Sequence, residues 1–364
     1  MKTQTFYLVG AGEIAKEHAK ALCMLSGHIK AELYVTDINQ RTLEKFCEQF
    51  AAAVPFSSLD AMLENRTNKD DVVIVCTPPA AHYPVVMAAL GSGRHVLCEK
   101  PLAMNSAQSN EMLLAAKEAG LHLGCCSSRF LGLETTEEVK RIVASGSIGE
   151  PYHFRFINRQ ARGRSGVEYQ PNSRWFLNSS VSGGGVLMDW GPYDFAVLSD
   201  ILKPEKVHIL SAVVSKPETW LDMPEETVND VEQHVIAQMR FEDKYGKSVL
   251  VNYERSACTH GEPLSAVEIE GMKGAVSWDW LCFDGNGQVS VSGDDQGKPV
   301  KNITNYQCRY NFHHRPILHF LDALHSHAPA FEMDEQAVFN FNILQAIYEC
   351  ARTNHSLTVI KEVL

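Results

Sequence analysis

The feature that most constrains this sequence is a glycine-rich turn after its first apolar run. Residues 5–9 read Thr-Phe-Tyr-Leu-Val, and residues 10–15 then read Gly-Ala-Gly-Glu-Ile-Ala at the start of a predicted helix. This is the G-x-G-x-x-G/A spacing of a dinucleotide-binding strand–turn–helix, in which glycines permit the tight turn and the close approach of a pyrophosphate. The predicted cofactor contacts are Gly10, Ala11, Gly12, Glu13 and Ile14. A plain structural turn is the alternative.

The first 126 residues alternate short apolar runs with longer amphipathic stretches. The runs lie at 5–9, 31–36, 72–76, 95–98 and 122–124, and helices are predicted at 13–25, 39–50, 80–90 and 105–118. Each run is continuous, as expected of parallel strands that are covered on both faces. The pattern predicts the α/β class, with an N-terminal Rossmann domain over residues 1–126 built on a doubly wound parallel sheet.

The pattern changes after residue 126. Short β-rich segments lie at 151–160, 205–215, 231–241, 247–255, 264–270 and 274–281, with helices predicted at 134–145, 184–202, 315–326 and 334–352. The stretch 284–300 is rich in Gly, Asp and Ser and is expected to form an exposed loop or a hairpin. We therefore predict a second domain over residues 127–364, an α+β domain with a mostly antiparallel sheet.

Composition narrows the class of protein. The chain has 33 basic and 44 acidic residues and a net charge of −11, which argues against a nucleic-acid partner. No apolar run approaches the ~20 residues of a membrane span, so no membrane partner is expected. The 10 cysteines are scattered, which favours a reducing cytoplasmic location over a disulfide framework. Because the spacing of a metal-ligand set is missing, no metal is predicted.

Asp37 ends the second predicted strand. A carboxylate at this position can accept hydrogen bonds from the adenosine ribose hydroxyls and would repel a 2′-phosphate, so NAD(H) is the favoured cofactor. Arg41 lies one turn further along the chain, so NADP(H) stays possible. The alternative is that Asp37 only caps the helix that starts near Asn39.

Lys100 stands in the sequence Glu99-Lys100-Pro101, directly after the strand predicted at 95–98. The carboxyl ends of such strands are where open α/β sheets bind ligands. Pro101 biases Lys100 toward an extended backbone, which would hold the ammonium group in the crevice. Such a lysine can relay a proton or polarise a substrate oxygen, and a solvated surface lysine is the alternative.

Residues 183–185 are three glycines that precede an apolar helix carrying Asp189 and Tyr193. The spacing of four places both side chains on one helix face, although Pro192 is expected to distort the first turns. Hydride transfer to nicotinamide needs a base for the hydroxyl proton, and a lysine ammonium near a tyrosine favours the phenolate. Tyr193 with Lys100 is therefore a sensible acid/base pair. A core tyrosine and a helix-capping aspartate are the alternative.

Taken together, these residues resemble the glucose–fructose oxidoreductase/inositol dehydrogenase (Gfo/Idh/MocA) family. Further carriers of the resemblance are His18, Thr77-Pro78 with His82, Ser145–Gly149 and Glu268–Gly274. The resemblance implies NAD(P)-dependent oxidation of a sugar, a polyol or a related hydroxyl, or the reverse reduction. It implies that the α+β domain of residues 127–364 binds substrate and has an open, mixed sheet, and that this sheet often forms the interface of a homodimer or homotetramer. It also implies residue roles: Lys100 as the catalytic lysine, Asp189 as a positioning or relay carboxylate, and Thr77, Pro78, His82 and Glu99 as cofactor-lining residues.

Two positions depart from the pattern of many family members. Many carry histidine where this chain has Tyr193, but a subset similar to glucose–fructose oxidoreductase and the dihydrodiol dehydrogenases uses tyrosine there. Many also carry asparagine where this chain has Ser127. Substrate contacts are expected within 158–176, with Arg164 and Trp175 as candidates beside Tyr193, and an exposed basic loop is the alternative explanation for most of the arginines there.

Three functions follow as hypotheses. The leading one is an NAD(P)-dependent sugar or polyol dehydrogenase or reductase that uses Lys100 and Tyr193 for proton transfer. The second is a glycosidase that oxidises its substrate transiently with tightly held NAD. The third is a non-catalytic NAD-binding regulator on the same fold, which the presence of both Lys100 and Tyr193 disfavours.

Overall fold

The computed structural model of the chain describes residues 3–24, 30–65, 68–161, 173–217, 227–308, 311–326 and 332–361. The chain divides into two compact units. The first unit comprises Met1–Arg129 and Asn311–Phe341, and the second comprises Phe130–Tyr310 and Asn342–Leu364. Among the described residues, no helix combines the length and apolarity that crossing a bilayer requires.

A parallel sheet of six strands lies at the centre of the first unit. Its strands are β1 (Thr3–Val9), β2 (Lys30–Thr36), β3 (Val54–Phe56), β4 (Val72–Val75), β5 (His95–Cys98) and β6 (Leu123–Cys125). They are ordered β3-β2-β1-β4-β5-β6 and every pair is parallel. The helices between them are α1 (Glu13–Met24), α2 (Gln40–Gln49), α3 (Leu59–Leu63), α4 (His82–Gly91) and α5 (Ser106–Glu118). The predicted Rossmann sheet is confirmed.

The apolar runs of the sequence form the interior strands of this sheet because they are covered on both faces. Every residue of β4 and of β5 is buried. The edge strand β3 was not predicted, since it has three residues, contains Pro55 and is largely exposed. Proline is tolerated at a sheet edge, where one row of backbone groups has no neighbouring strand.

Residues 311–341 return to the first unit, whereas the sequence-based division placed all of 127–364 in the second domain. The helix α9 (Arg315–Ser326) brings Ile317, Phe320 and Leu321 into the core that also contains Phe6. A Cβ atom added to Gly124 would lie 2.5 Å from the Phe320 ring. Glycine in β6 therefore admits an aromatic side chain from distant sequence, and local patterns do not reveal that contact.

A mixed sheet of nine strands forms the second unit. Its strands are β7 (Pro151–Ala161), β8 (Lys206–Ser215), β9 (His234–Glu242), β10 (Ser248–Thr259), β11 (Leu264–Gly271), β12 (Gly274–Trp278), β13 (Asn286–Asp295), β14 (Lys298–Gln307) and β15 (Leu357–Ile360). Their order is β14-β13-β12-β11-β7-β10-β9-β8-β15, and only the β7–β10 pair is parallel. The other helices are α6 (Glu134–Ser145), α7 (Ser179–Ser182), α8 (Val186–Leu202) and α10 (Asp334–Thr353), and α10 crosses the division between the units. The predicted mostly antiparallel sheet is confirmed.

The glycine-rich stretch predicted at 284–300 is part of a longer hairpin of β13 and β14. The chain reverses at Gln296 and Gly297, which have φ values of 50° and 77°. Positive φ at both central residues is the geometry of a tight hairpin turn whose twist matches the strands. The hairpin alternative was therefore the correct one, although β14 itself extends beyond the predicted stretch to Gln307.

A histidine–aspartate pair holds the start of α10 against β6 within the first unit. The Asp334 carboxylate accepts the Leu123 N–H at 2.9 Å and contacts His122 Nδ1 at 2.8 Å. The hydrogen bond with Asp334 raises the pKa of His122, against the opposing effect of burial. Because the folded pKa is the higher one, the pair stabilises the fold below the unfolded pKa of ~6.5, and this contribution is lost as pH rises through the folded pKa.

We predict a pH-dependent loss of stability for His122→Asn. The loss should be about 0.3–1 kcal/mol near pH ~5.5, since the pair is partly exposed and screened by solvent, and smaller near pH ~9. Urea unfolding at both pH values measures the difference, with His260→Asn, at an exposed loop histidine, as the control. Equal losses for His122→Asn at both pH values would contradict this assignment.

Candidate active site

The residues predicted to bind the dinucleotide follow the carboxyl ends of four neighbouring strands. The glycine turn follows β1, Asp37 follows β2, Thr77 lies just past β4, and Glu99 follows β5. The direction of the strand order reverses between β1 and β4. This edge of the six-stranded sheet is therefore the crevice in which open α/β sheets bind ligands.

Gly10 occupies a position that a larger residue could fill only if the backbone moved. Its φ is +96°, and an added Cβ atom would lie 2.7 Å from the Cys76 carbonyl oxygen. The Gly10 N–H donates to Thr36 O at 2.9 Å, and the Cys76 N–H donates to Val9 O at 2.8 Å. The turn is therefore held against the ends of β2 and β4, as the glycine fingerprint predicts.

Two features beside this turn fit a dinucleotide phosphate. A Cβ atom added to Gly12 would have no heavy atom within 4 Å, so the backbone there faces open space. The buried hydroxyl oxygen of Thr77 has no hydrogen-bond partner within the described parts of the chain. An open glycine at the start of a helix and an available hydroxyl are groups that a pyrophosphate can contact.

The other residues of the turn pack against the core or form an ion pair. Ala15 is fully buried, which permits the close helix–strand contact expected of the sixth motif position. Ile14 is half-buried and packs against the core of the first unit. Glu13 is exposed and pairs with Lys16 at 2.6 Å. The predicted cofactor contacts at Glu13 and Ile14 stay predictions, and they concern the backbone of α1's first turn.

Asp37 ties the glycine turn to the end of β2. One carboxylate oxygen accepts the Ala11 N–H at 2.7 Å, and the other accepts the Asn39 N–H at 2.7 Å. The cap of α2 is Asn39, whose side chain accepts the Thr42 N–H. Each Asp37 oxygen keeps a second lone pair with which it can accept a ribose hydroxyl.

His82 is fully buried and joins two segments of this sheet edge. Its Nδ1 lies 2.8 Å from Pro101 O, and its Nε2 lies 2.9 Å from Thr77 O. Burial lowers the pKa of His82, so the ring is neutral near neutral pH and donates to one carbonyl at a time. These contacts favour a role in holding the Thr77 segment and the cis Lys100–Pro101 peptide, while the predicted cofactor contact stays a prediction.

Glu99 forms a buried ion pair with Arg129 and accepts a hydrogen bond from the backbone N–H of the next residue, Lys100. Glu99 Oε1 accepts Arg129 Nη2 at 2.8 Å and lies 3.0 Å from His18 Nε2. Its other oxygen accepts the Lys100 N–H at 3.2 Å. Burial alone would raise the pKa of Glu99, but Arg129 and His18 outweigh it and hold the pKa well below its ordinary range. A buried carboxylate with a cationic partner thus fixes the backbone that carries Lys100.

The same cluster contains three residue types that bind metals. Ligand atoms of His18, Glu99 and Cys126 lie within 4.8 Å of one another. However, the Arg129 guanidinium shares the Glu99 oxygen, and burial raises the pKa of the Cys126 thiol well above its ordinary value. A divalent cation here would meet an adjacent positive charge and a protonated thiol, so the arrangement favours an ion-pair core over a metal site.

The second unit carries the other two catalytic candidates on α8. Asp189 and Tyr193 are both buried, with 4 % and 3 % of their surface exposed. The distortion expected at Pro192 does not interrupt α8, which is continuous over Val186–Leu202. The predicted spacing on one helix face therefore holds.

Aromatic side chains surround Tyr193. The Phe130 ring meets the Tyr193 ring edge-on at 4.8 Å, and the Trp190 ring lies 5.9 Å away. Phe130 also contacts the rings of Trp280 and Phe283, at 5.9 and 6.1 Å. Phe283 is 61 % exposed, so part of its ring is accessible from outside the cluster. This aromatic cluster leaves one apolar surface open to a ligand or solvent.

A fully buried ion pair next to Tyr193 was missed by the sequence analysis. Asp194 accepts hydrogen bonds from Arg255 and from the Tyr253 hydroxyl, the latter at 2.8 Å. The Arg255 guanidinium lies 4.9 Å from the Trp190 ring centroid. Burial raises the pKa of Asp194, and Arg255 opposes that rise. The available signal was that Asp194 is one of three aspartates in a largely apolar helix, and a buried aspartate requires a partner.

The structure describes three of the four remaining residues that the sequence singled out. Ser127 donates to Glu332 at 2.8 Å and is buried, so its hydroxyl bonds a side chain of the first unit. Trp175 is half-buried and stacks on Phe176 at 3.9 Å. Arg41 is exposed in the first turn of α2. Arg164 lies outside the described residues.

Comparison with known proteins places both parts of the chain in one family. Residues 5–125 match the model described as "Oxidoreductase family, NAD-binding Rossmann fold", and residues 136–277 match the model described as "GFO/IDH/MocA C-terminal domain". Levoglucosan dehydrogenase, solved with NADH and levoglucosan, has a TM-score of 0.78 at 19% identity over 99% of this chain and 100% of that one. That similarity shows the shared fold.

Curated relatives include dehydrogenases of ring-shaped diols and sugars. The chain is 34% identical over 186 residues to the D-glucoside 3-dehydrogenase of Escherichia coli, covering 50% of each chain. It is 29% identical over 218 residues to the trans-1,2-dihydrobenzene-1,2-diol dehydrogenase of Mus musculus, covering 59% of this chain and 61% of that one. The matches thus span about half to three-fifths of these relatives' lengths. The two family models, matched in order along the sequence, show that the chain belongs to the Gfo/Idh/MocA family, with its NAD-binding Rossmann domain at residues 5–125.

Proposed function

We propose that this chain is an NAD(H)-dependent oxidoreductase that interconverts a hydroxyl and a carbonyl group on a sugar, polyol or related small molecule. The observation that carries the proposal is the position of Lys100. It follows β5 at the same sheet edge as the open backbone of Gly12. A protein that only binds a dinucleotide needs the glycine turn, but it has no use for a lysine held there by a buried carboxylate.

Bound NAD would supply the acceptor for the hydride that leaves the carbon of the reacting hydroxyl. In this proposal Tyr193 takes the hydroxyl proton during oxidation and returns it during reduction. The Lys100 ammonium favours the tyrosinate and stabilises negative charge on the substrate oxygen. Asp189, on the same face of α8 as Tyr193, orients the substrate through a second hydroxyl.

The substrate class that we infer is a ring with vicinal hydroxyls and one apolar face. The aromatic cluster around Tyr193 offers such a face a contact surface at Phe283, which is 61 % exposed. Relatives named for a D-glucoside and for a dihydrobenzenediol support hydroxyls on a ring. Trp175 and Arg164 remain candidates for further substrate contacts.

We also propose self-association through the nine-stranded sheet. Ile236 on β9, Leu250 on β10 and Leu264 on β11 share one face of that sheet and are 44 %, 50 % and 40 % exposed. Exposed apolar side chains gathered on one face are typical of protein–protein contacts. The homodimer or homotetramer and the cytoplasmic location otherwise stay predictions.

The first test is turnover by catalytic variants. Wild-type protein should bind NADH and reduce or oxidise one class in a panel of sugars, inositols and their keto forms, followed by NADH absorbance. Lys100→Met and Tyr193→Phe should each lower kcat by ~10²–10⁴, while the Kd for NADH changes little. The first removes the ammonium that stabilises the tyrosinate and the substrate oxygen, and the second removes the group that takes the proton. Tyr245→Phe, at an exposed hairpin tyrosine, is the control.

The alternatives give different outcomes in the same experiment. Sugar release without net NADH would indicate the glycosidase, and tight NADH binding without turnover would indicate the regulator. Full activity of both variants on the true substrate would show that the roles of Lys100 and Tyr193 are assigned wrongly.

A second prediction concerns cofactor choice. Asp37→Ser removes the carboxylate that would repel a 2′-phosphate, so the ratio of NADPH to NADH affinity should rise by ~10-fold or more. NADH affinity itself should fall, because the carboxylate also holds the Ala11 N–H. Fluorescence titration with both nucleotides measures this, with Asp60→Ser on α3 as the control. An unchanged ratio would place Asp37 outside the ribose contacts.

A further inference from the structure

The start of α8 has its backbone N–H groups satisfied by one acidic residue from outside the helix. One Glu232 carboxylate oxygen accepts the Gly185 N–H at 2.8 Å, and the other accepts the Leu187 N–H at 2.9 Å. The Glu232 carbonyl oxygen accepts the Val186 N–H at 3.0 Å. The Tyr348 hydroxyl donates to the same carboxylate at 2.7 Å. The first turn of a helix leaves such donors without intrahelical partners, and here Glu232 takes them.

Two glycines are required by this arrangement. A Cβ atom added to Gly185 would lie 1.8 Å from the Glu232 carbonyl oxygen, and one added to Gly184 would lie 2.2 Å from the Tyr348 hydroxyl. Only residues without a side chain allow Glu232 and Tyr348 to approach so closely. A glycine-rich helix start commonly binds the anion of a ligand, but here the chain's own carboxylate fills the position.

The contact depends on hydrogen bonds to the Glu232 carboxyl group as well as on shape. Glu232 is 3% exposed, and burial raises its pKa, while hydrogen bonds from Tyr348 and the α8 backbone oppose that rise. The positive end of the α8 dipole also favours a carboxylate at this point. Hydrogen bonds from the α8 backbone and from Tyr348 to Glu232 therefore hold the start of α8 in place.

We propose that Glu232 is a positioning residue that fixes where α8 presents Asp189 and Tyr193 to the substrate. This inference rests on the proposed function, since Asp189 and Tyr193 are its reacting and orienting groups there. Both residues lie within roughly the first two to three turns after Gly185 on one rigid helix. A shift at the start of α8 consequently moves both side chains together, and misplacement of reacting groups by ~1 Å slows chemistry strongly.

The test compares the full-length wild type with Glu232→Gln and Tyr348→Phe. A glutamine keeps the shape but turns an amide NH₂ toward a backbone N–H, so the start of α8 loosens. We expect kcat to fall on the order of 10- to 100-fold, with an unchanged Kd for NADH. The primary isotope effect should rise with substrate deuterated at the reacting carbon, because hydride transfer becomes slower than the other steps. Tyr348→Phe leaves the carboxylate in place and should give a smaller change in the same direction.

Asn105→Ala is the matched control, because it removes a helix cap elsewhere. Asn105 caps α5 in the first unit by accepting the Gln108 N–H at 3.0 Å. Its loss should lower the unfolding midpoint but leave kcat and the isotope effect unchanged. If Glu232→Gln behaves in the same way, with lower stability and an unchanged isotope effect in the folded protein, the positioning role is overturned.

Hydrogen–deuterium exchange gives a measurement that does not depend on activity. Peptides covering residues 185–193 should exchange faster in Glu232→Gln than in the wild type or in Asn105→Ala. If the wild type turns over no compound of the panel, the proposed function fails, and the exchange still decides whether Glu232 anchors α8. Unchanged exchange overturns the anchoring. If Glu232→Gln does not fold, the same measurements are made on Tyr348→Phe. Faster exchange over residues 185–193 then supports the anchoring, and unchanged exchange overturns it.

Discussion

The close approach of the Gly10 backbone to the Cys76 carbonyl is the contact on which the nucleotide-binding edge depends. A Cβ atom at Gly10 would lie 2.7 Å from that oxygen, so the turn after β1 can sit against β4 only with glycine there. This approach brings Gly12 to the helix start with open space before it, and it lets Asp37 accept the Ala11 N–H. The glycine turn is thus fixed by the steric constraint at Gly10 and by the hydrogen bond from the Ala11 N–H to Asp37.

The two glycine-rich helix starts in this chain differ in what lies against them. At α1, a Cβ atom on Gly12 would meet nothing within 4 Å, so the helix start remains available to a ligand phosphate. At α8, a Cβ atom on Gly185 would lie 1.8 Å from the Glu232 carbonyl oxygen, and the Glu232 carboxylate already takes the helix donors. The same sequence feature is therefore open to a ligand in one unit and filled by an internal carboxylate in the other.

The sequence predicted those features of the fold and site that depend on residues close together in the chain. The glycine motif, the buried strands β4 and β5, and the spacing on α8 each lie within a short stretch, so periodicity and turn chemistry revealed them. The edge strand β3 carries too few residues for a periodic signal. Contacts between distant residues, such as Glu232 with Gly185 and Phe320 with Gly124, were not predictable, because nothing near either residue specifies its partner. For the same reason, the sequence did not reveal that residues 311–341 belong to the first unit.

The proposed function requires that oxidation of the substrate hydroxyl be matched by net reduction of NAD⁺, with the hydrogen of the reacting carbon transferred to the nicotinamide. The most direct measurement uses a ring diol or sugar deuterated at the reacting carbon, with NAD⁺ and wild-type protein, and determines the mass of the recovered NADH. The account predicts one deuterium in each NADH formed, in equal amount to the ketone product. Substrate consumption with no NADH, or with NADH that carries no deuterium, would contradict it.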